Sequence, residues 1–331
     1  MAIPAHPPAN AFVTQARKVY NPIGFAKGYN FMLWVIFLGA FLGFTLARLQ
    51  FLDFYGVFCS KEVKSPNNHA APGECFYWLQ KPYTVGITLH LAGILPAALL
   101  ACVQFIPVVR HKAIFIHRVN GYIVIILSVV ATAGIFIILP RSFGGGLDVQ
   151  TAGGTLAIAF LWALLMAYIN IKRLQIDQHR AWMLRAWFWA GSIITERVLM
   201  IIVQSIPTSE PRYYAMPCDK VDSMLGNYTL ALYPACASFY SGEVPYQNVA
   251  VRAEFNHPTS VVEVAAALDA AFGAVLWLSF ILSIVGVEIY LHLTSAETER
   301  LRRISCGRQL EAGMKNPGSV YLASDRLRDA E

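Results

Sequence analysis

Six long apolar runs, at about residues 30–47, 84–106, 119–139, 151–171, 183–206 and 264–293, constrain this chain more than any other feature. A bilayer core about 30 Å thick needs roughly 20 apolar residues in a helix, and each run comes near that length. The first, with Phe31, Met32, Leu33, Trp34, Val35, Ile36, Phe37 and Leu38 in succession, is apolar on every side, which suits lipid or protein contact and not water. A soluble bundle would have to bury all six helices from every direction. The expected fold is therefore all-α: a polytopic membrane bundle of about six transmembrane helices. Charged residues make up only 14% of the chain, against about a quarter in soluble domains. The fifth run alone carries several of them, at Arg185, Glu196 and Arg197.

The direction of the spans follows from Lys and Arg. Sixteen fall in the N-terminal segment, the second and fourth links and the C-terminal tail, eight on the opposite side and two within spans. Both termini are thus expected to be cytoplasmic. The net charge of +6 reads as a topology signal, and no nucleic-acid partner is expected. Residues 1–29 form a polar cytoplasmic segment without the apolar stretch of a signal peptide, so the first span is expected to act as its own insertion signal. Residues 30–293 form the membrane domain, and 294–331 a basic cytoplasmic tail that begins as a charged helix near Thr298 and ends disordered.

Cysteine placement tests this topology independently. Cys59 and Cys75 share the first outer loop, and Cys218 and Cys236 share the third; disulfides persist on the oxidising side of a membrane. Cys102, in a span, and Cys306, in the tail, are expected to be free thiols. Asn227, Tyr228 and Thr229 form an N-glycosylation acceptor on the same outer side. Together these features point to the endoplasmic reticulum or another secretory-pathway membrane. The third outer loop, 207–262, is too long for a bare link and reads as a folded, disulfide-tied lumenal cap.

Ionisable groups inside spans cost about 2.5–3.5 kcal/mol each on insertion scales and point to function. His90 lies about 10 Å below the outer surface, Glu196 and Arg197 about 15 Å, and Asp269 roughly 8–9 Å, at ~1.5 Å per residue. Arg141 and Asp148 flank the 143–146 turn, where the third and fourth spans meet the outside. Adjacent residues on a helix point about 100° apart, so Glu196 and Arg197 are each expected to pair across helices. Glu196 would take Arg141 or His90, and Arg197 would take Asp269 or Asp148. The alternative use of these groups is a purely structural polar clamp. On the cytoplasmic side His117 and Arg118, then His179 and Arg180, open the third and fifth spans. They are candidates for an anion site such as a phosphate or lipid headgroup, or simply for membrane anchoring.

No Cys-x-x-Cys, His-Glu-x-x-His, Asp-rich diphosphate box or phosphate-binding glycine loop is present, and the glycines at 144–146 read as a turn. No metal is expected. His90, His117 with Arg118, Gly121, and His179 with Arg180, Trp182 and Met183 ahead of Arg197 resemble the predicted membrane proteins grouped as domain of unknown function 2306, over about residues 84–206. The resemblance implies a helical membrane domain. It is closest in character to the fungal branch, with extra loops, and associates the chain with meroterpenoid-pathway membrane terpene cyclases.

The function expected first is a redox-neutral cyclase or isomerase acting, without a cofactor, on a small lipophilic prenylated substrate dissolved in the lipid bilayer. Glu196 would donate the proton, and His90 or Asp269 would take it back. Trp187, Trp189 or Tyr83 would face the cation. Arg197, Arg141 and Asp148 would help to bind substrate. Two other functions are weighed beside it. One is electron transfer through a b-type haem on His117 and His179; the other is transport or lipid binding without chemistry.

Overall fold

The computed structural model describes residues 10–25, 27–60, 69–206, 210–315 and 317. Six helices among these residues are long and apolar enough to cross a membrane, over Gly28–Leu52, Tyr83–Gln104, Ile114–Ile138, Leu147–Lys172, Ile176–Ser205 and Val261–Leu293. An even number of crossings returns the chain to its starting side. The chain is a polytopic helical membrane protein, and its six spans fall where the six apolar runs lie.

In chain order the elements are α1 (Ala11–Ile23), α2 (Gly28–Arg48), α3 (Glu74–Trp78), α4 (Tyr83–Gln104), α5 (Pro107–Lys112), α6 (Ile114–Ile138), α7 (Leu147–Lys172), α8 (Ile176–Ala190) and α9 (Ser192–Ser205). A short outer ribbon β1 (Tyr213–Pro217) leads into α10 (Cys218–Leu225), and β2 (Asn248–Arg252) returns to α11 (Val261–Leu293) and α12 (Ser295–Glu311). Helix α1 lies in the segment that the sequence shows only as polar; Asn10 caps it by accepting from the Val13 N–H at 2.9 Å. The fifth span is two helices in series, broken at Gly191, which the hydropathy profile does not reveal.

The larger of two compact units takes in the chain up to residue 155 and residues 193–278. Its most intimate helix pair is α4 with α6. A Cβ on Gly134 would collide with the Gly86 carbonyl and come 2.7 Å from the His90 nitrogen, so only glycine lets the two backbones approach this closely. At the outer end a core of Phe51, Phe54, Phe58, Trp78, Ile87 and Ile138 gathers around the first disulfide, Cys59–Cys75. Phe58 and Trp78 stack within it at 5.2 Å.

The third outer loop is folded, as its length and cysteines require. Strands β1 and β2 pair antiparallel, with Tyr213 opposite Arg252 and Pro217 opposite Asn248. They pack with α10 on a core of Met216, Val221, Val249, Val251, Val262 and Ala266, tied by Cys218–Cys236. This ribbon is the departure from an all-helical fold. Its antiparallel ladder satisfies backbone groups that a structureless loop would leave to water. Both expected disulfides are present, and Cys102 and Cys306 are free.

The smaller unit comprises 156–192 and the chain from 279 on. Buried Asp177 accepts from the Ser305 hydroxyl at 3.0 Å, and that hydroxyl accepts the Ile176 N–H at 2.8 Å, fixing the tail helix α12 to α8. The charged tail helix expected from the sequence is α12, Ser295–Glu311. The end expected to be disordered, like Lys61 and Lys64 of the first loop, lies outside the described residues.

Apolar side chains all along the spans face outward, among them Met32, Ile36, Ile126, Ile158, Ile201 and Ile281, each more than half exposed. So much contiguous apolar surface on long helices requires lipid around it.

Candidate functional site

Three charged side chains meet at the outer end of the larger unit, each almost fully buried. Lys220, in the first turn of α10, places Nζ 2.8 Å from Asp269 Oδ2 and 3.4 Å from Glu74 Oε1. Glu74 opens α3 and neighbours Cys75 of the first disulfide; Lys220 lies two residues after Cys218 of the second. Gly73, at φ 81°, clears the way for the lysine stem: a Cβ there would sit 2.6 Å from Lys220 Cε. The second Glu74 oxygen accepts the Phe143 N–H at 2.9 Å.

Two carboxylates share one ammonium here. Burial drives the Glu74 carboxyl up to about 7, and the Asp269 charge adds to it. Lys220 and the Phe143 N–H oppose the shift without cancelling it. Burial by itself would lower the Lys220 ammonium, but its two carboxylate neighbours outweigh burial and hold it above the ordinary lysine value. The sign of the linkage follows from Glu74. Its pKa is raised in the folded protein above the ordinary 4.5, so the folded state binds this proton more tightly. The contribution to stability is fully present below pH 4.5 and is lost as pH rises to about 7. Heat denaturation in detergent should show that fall, and Glu74→Gln should flatten it; an equal fall in the variant would assign the titration elsewhere.

Above the triad lies an outer cavity of about 340 Å3, lined by Tyr77, Tyr83, Arg141, Asp219, Tyr246 and Asn248 among others. Tyr77 belongs to both places. Its ring lies 5.9 Å from Lys220 Nζ and 5.1 Å from the Arg141 guanidinium. Arg141 Nε donates to the Tyr83 hydroxyl at 3.5 Å.

On the other side of Phe143 sits the membrane-embedded acid. Phe143 adopts a left-handed backbone conformation, φ 46° and ψ 56°, in the tight 142–145 turn between α6 and α7. There its ring stacks on Phe272 with centroids 3.8 Å apart. The Arg197 guanidinium lies over both rings, at 5.6 and 5.9 Å. Arg197 Nε is 3.3 Å from Glu196 Oε2. Glu196 has no exposed surface, and neither of its carboxylate oxygens has a hydrogen-bond partner among the described residues.

Several expected pairings are corrected. Glu196 and Arg197 are each other's ion-pair partner, because the long arginine side chain folds back across the 100° between their Cβ directions. Asp269 pairs with Lys220 and not with Arg197, and Arg141 reaches tyrosines and not Glu196. His90 Nδ1 lies 3.2 Å from the Ala131 carbonyl oxygen. That oxygen can only accept, so Nδ1 carries the proton and Nε2 is the basic nitrogen. Asp148 begins α7 against α11, where a Cβ on Gly273 would strike its carboxylate. Asn227 is exposed.

Trp187 and Trp189 lie in the smaller unit, where their rings meet Phe160 and Phe280 edge-on. Arg180 is committed to the Thr294 and Thr298 hydroxyls, at 2.8 and 3.2 Å. His179 Nδ1 meets the Ala167 carbonyl oxygen at 2.9 Å. Arg118 is exposed, and the His117 carbonyl accepts from Gln104 at 2.8 Å. Glu74, Lys220 and Tyr77 were not singled out by sequence. The signal that marks the first two is a charged residue within two positions of a disulfide cysteine, in two different loops.

A family model described as "Predicted membrane protein (DUF2306)" matches residues 87–218. The chain is 26% identical over 339 residues to "Ava biosynthesis cluster protein G" of Aspergillus versicolor, a match covering 86% of this chain and 95% of that protein. It is also 25% identical over 105 residues to "NADH-quinone oxidoreductase subunit J" of Escherichia coli K12, covering 32% of this chain and about half, 53%, of that subunit. No solved structure matches.

Proposed function

We propose that this protein is a membrane-embedded, redox-neutral cyclase or isomerase of a biosynthetic pathway, acting on a lipophilic prenylated substrate in a secretory-pathway membrane. The observation that carries this reading is Glu196: a carboxyl wholly buried at bilayer depth, with no hydrogen bond to either oxygen and a single ion-pair contact among the described residues. In its protonated form, with the ion pair to Arg197 given up, such a carboxyl can deliver a proton to an apolar substrate. Phe143 and Phe272 stack near Arg197, and the outer face of such a ring attracts a carbocation. The long match to a protein named for a biosynthesis cluster supports the pathway context.

In the proposed reaction the Glu196 O–H proton passes to an epoxide oxygen or an alkene carbon. An epoxide C–O bond or an alkene π bond breaks, a neighbouring alkene supplies the electron pair of the new C–C bond, and the last cation loses a C–H proton to form a C=C bond. His90 Nε2 or Asp269 receives that proton. Atoms and electrons balance without an oxidant, so substrate and product are isomers. Asn227 is the proposed glycan site.

Incubating the protein in lipid nanodiscs with prenylated aryl epoxides is expected to give a cyclic product of unchanged mass. A product differing by two hydrogens or one oxygen would overturn the reading, and so would unchanged substrate carried across a liposome membrane. A stoichiometric b-type haem band in a reduced-minus-oxidised spectrum would replace it with electron transfer.

A further inference from the structure

The outer cavity holds a cation and an acid that do not pair with each other. Arg141 has no carboxylate within ion-pair distance among the described residues; its neighbours are the Tyr83 and Tyr77 phenols. A guanidinium carries five N–H donors, more than those contacts use. Asp219, on the opposite segment of chain, accepts the Lys220 backbone N–H at 2.7 Å through Oδ1, and Oδ2 has no hydrogen bond among the described residues. Charges of opposite sign on one cavity balance, so the site does not select a strongly charged ligand. It offers a donor edge, an acceptor edge and the faces of Phe76, Tyr77, Tyr83 and Tyr246. About 340 Å3 admits a substituted ring and lies at the small end of ligand sites, too little for a ring together with a long prenyl chain.

We propose that this cavity binds the uncharged, oxygenated ring end of the substrate, with a ring carbonyl accepting from Arg141 and a ring hydroxyl donating to Asp219. The proposal rests on the cyclase reading, and it places the polar end of the substrate at the outer surface while the prenyl chain remains in the bilayer. Tyr77 then works as a specificity residue. Its ring is a wall of the cavity, with Lys220 Nζ 5.9 Å from its centroid.

The test is binding of 4-hydroxyacetophenone, measured by saturation-transfer NMR on the full chain in nanodiscs at a pH where the phenol is neutral. Acetophenone, which lacks the hydroxyl, and the anion 4-hydroxybenzoate serve as matched comparisons. The hydroxyketone is expected to bind with millimolar affinity and both comparisons about tenfold more weakly. Arg141→Gln should weaken the hydroxyketone about tenfold. Asp219→Asn should weaken it similarly while leaving acetophenone unchanged. Equal binding of the three probes, tighter binding of the benzoate, or no binding of the hydroxyketone would each overturn the proposal. Because the probe comparison is made on the unaltered protein, a variant that fails to fold does not remove the test. The two ideas fail separately on the unaltered protein: one that binds the hydroxyketone but cyclises none of the prenylated epoxides refutes only the cyclase reading.

Discussion

Lys220→Met is expected to destabilise the protein by about 3–5 kcal/mol, the cost of leaving a buried ion cluster without one of its partners. Two facts make this a large effect. Lys220 is 1% exposed, so water cannot replace the ammonium, and its loss leaves Glu74 and Asp269 sharing a site with no cation between them. The variant should therefore regain stability as pH falls and the carboxyls take up protons, a steeper dependence than that of the parent. Adding Glu74→Gln and Asp269→Asn should recover most of the loss, since the damage comes from unpaired charge and not from a missing attraction. Thermal unfolding in detergent, followed by size-exclusion, measures all three proteins. A Lys220→Met protein that melts with the parent would mean that the cluster is solvated.

Glu196→Gln is expected to lower turnover by about 10²–10⁴-fold, the range for removal of a general acid, with little change in melting temperature. The amide keeps the shape of the side chain and removes the transferable proton. Because neither Glu196 oxygen is hydrogen-bonded among the described residues, the substitution breaks no such bond there and alters the contact with Arg197. That separation of activity from stability is the informative part: a structural clamp would lose stability first and activity only as a consequence. An active, stable Glu196→Gln protein would exclude the mechanism.

The membrane fold is legible in the sequence because its causes are local. Twenty apolar residues in succession leave the chain few options in lipid, and Cys59 with Cys75 and Cys218 with Cys236 pair across separations of only 16 and 18 residues. The turn at 143–146 is equally local, although the left-handed backbone at Phe143, which is not a glycine, is not. The charged cluster is illegible for the opposite reason. Lys220 stands 146 residues from Glu74 and 49 from Asp269, and in a hydropathy reading it is one more basic residue of an outer loop. Its burial is made by the β1–β2 ribbon and α10 folding over α3, a long-range event with no periodic trace. Glu196 and Arg197 were legible as costly residues but not as a pair, because side-chain reach outweighed the direction of their Cβ atoms.

The cluster also imposes an order on synthesis. Glu74 belongs to the first outer segment, Lys220 to the last, and Asp269 to the sixth span, so the acid that leaves the ribosome earliest waits through four further membrane crossings for its counter-ion. Each disulfide closes within its own loop and needs no such wait. A nascent chain that stops before the sixth span can form both covalent ties and still lack the third member of its cluster. Completion of the outer surface thus reports that the final helix has arrived, and a chain short of that helix leaves a lysine and a glutamate whose partner is missing.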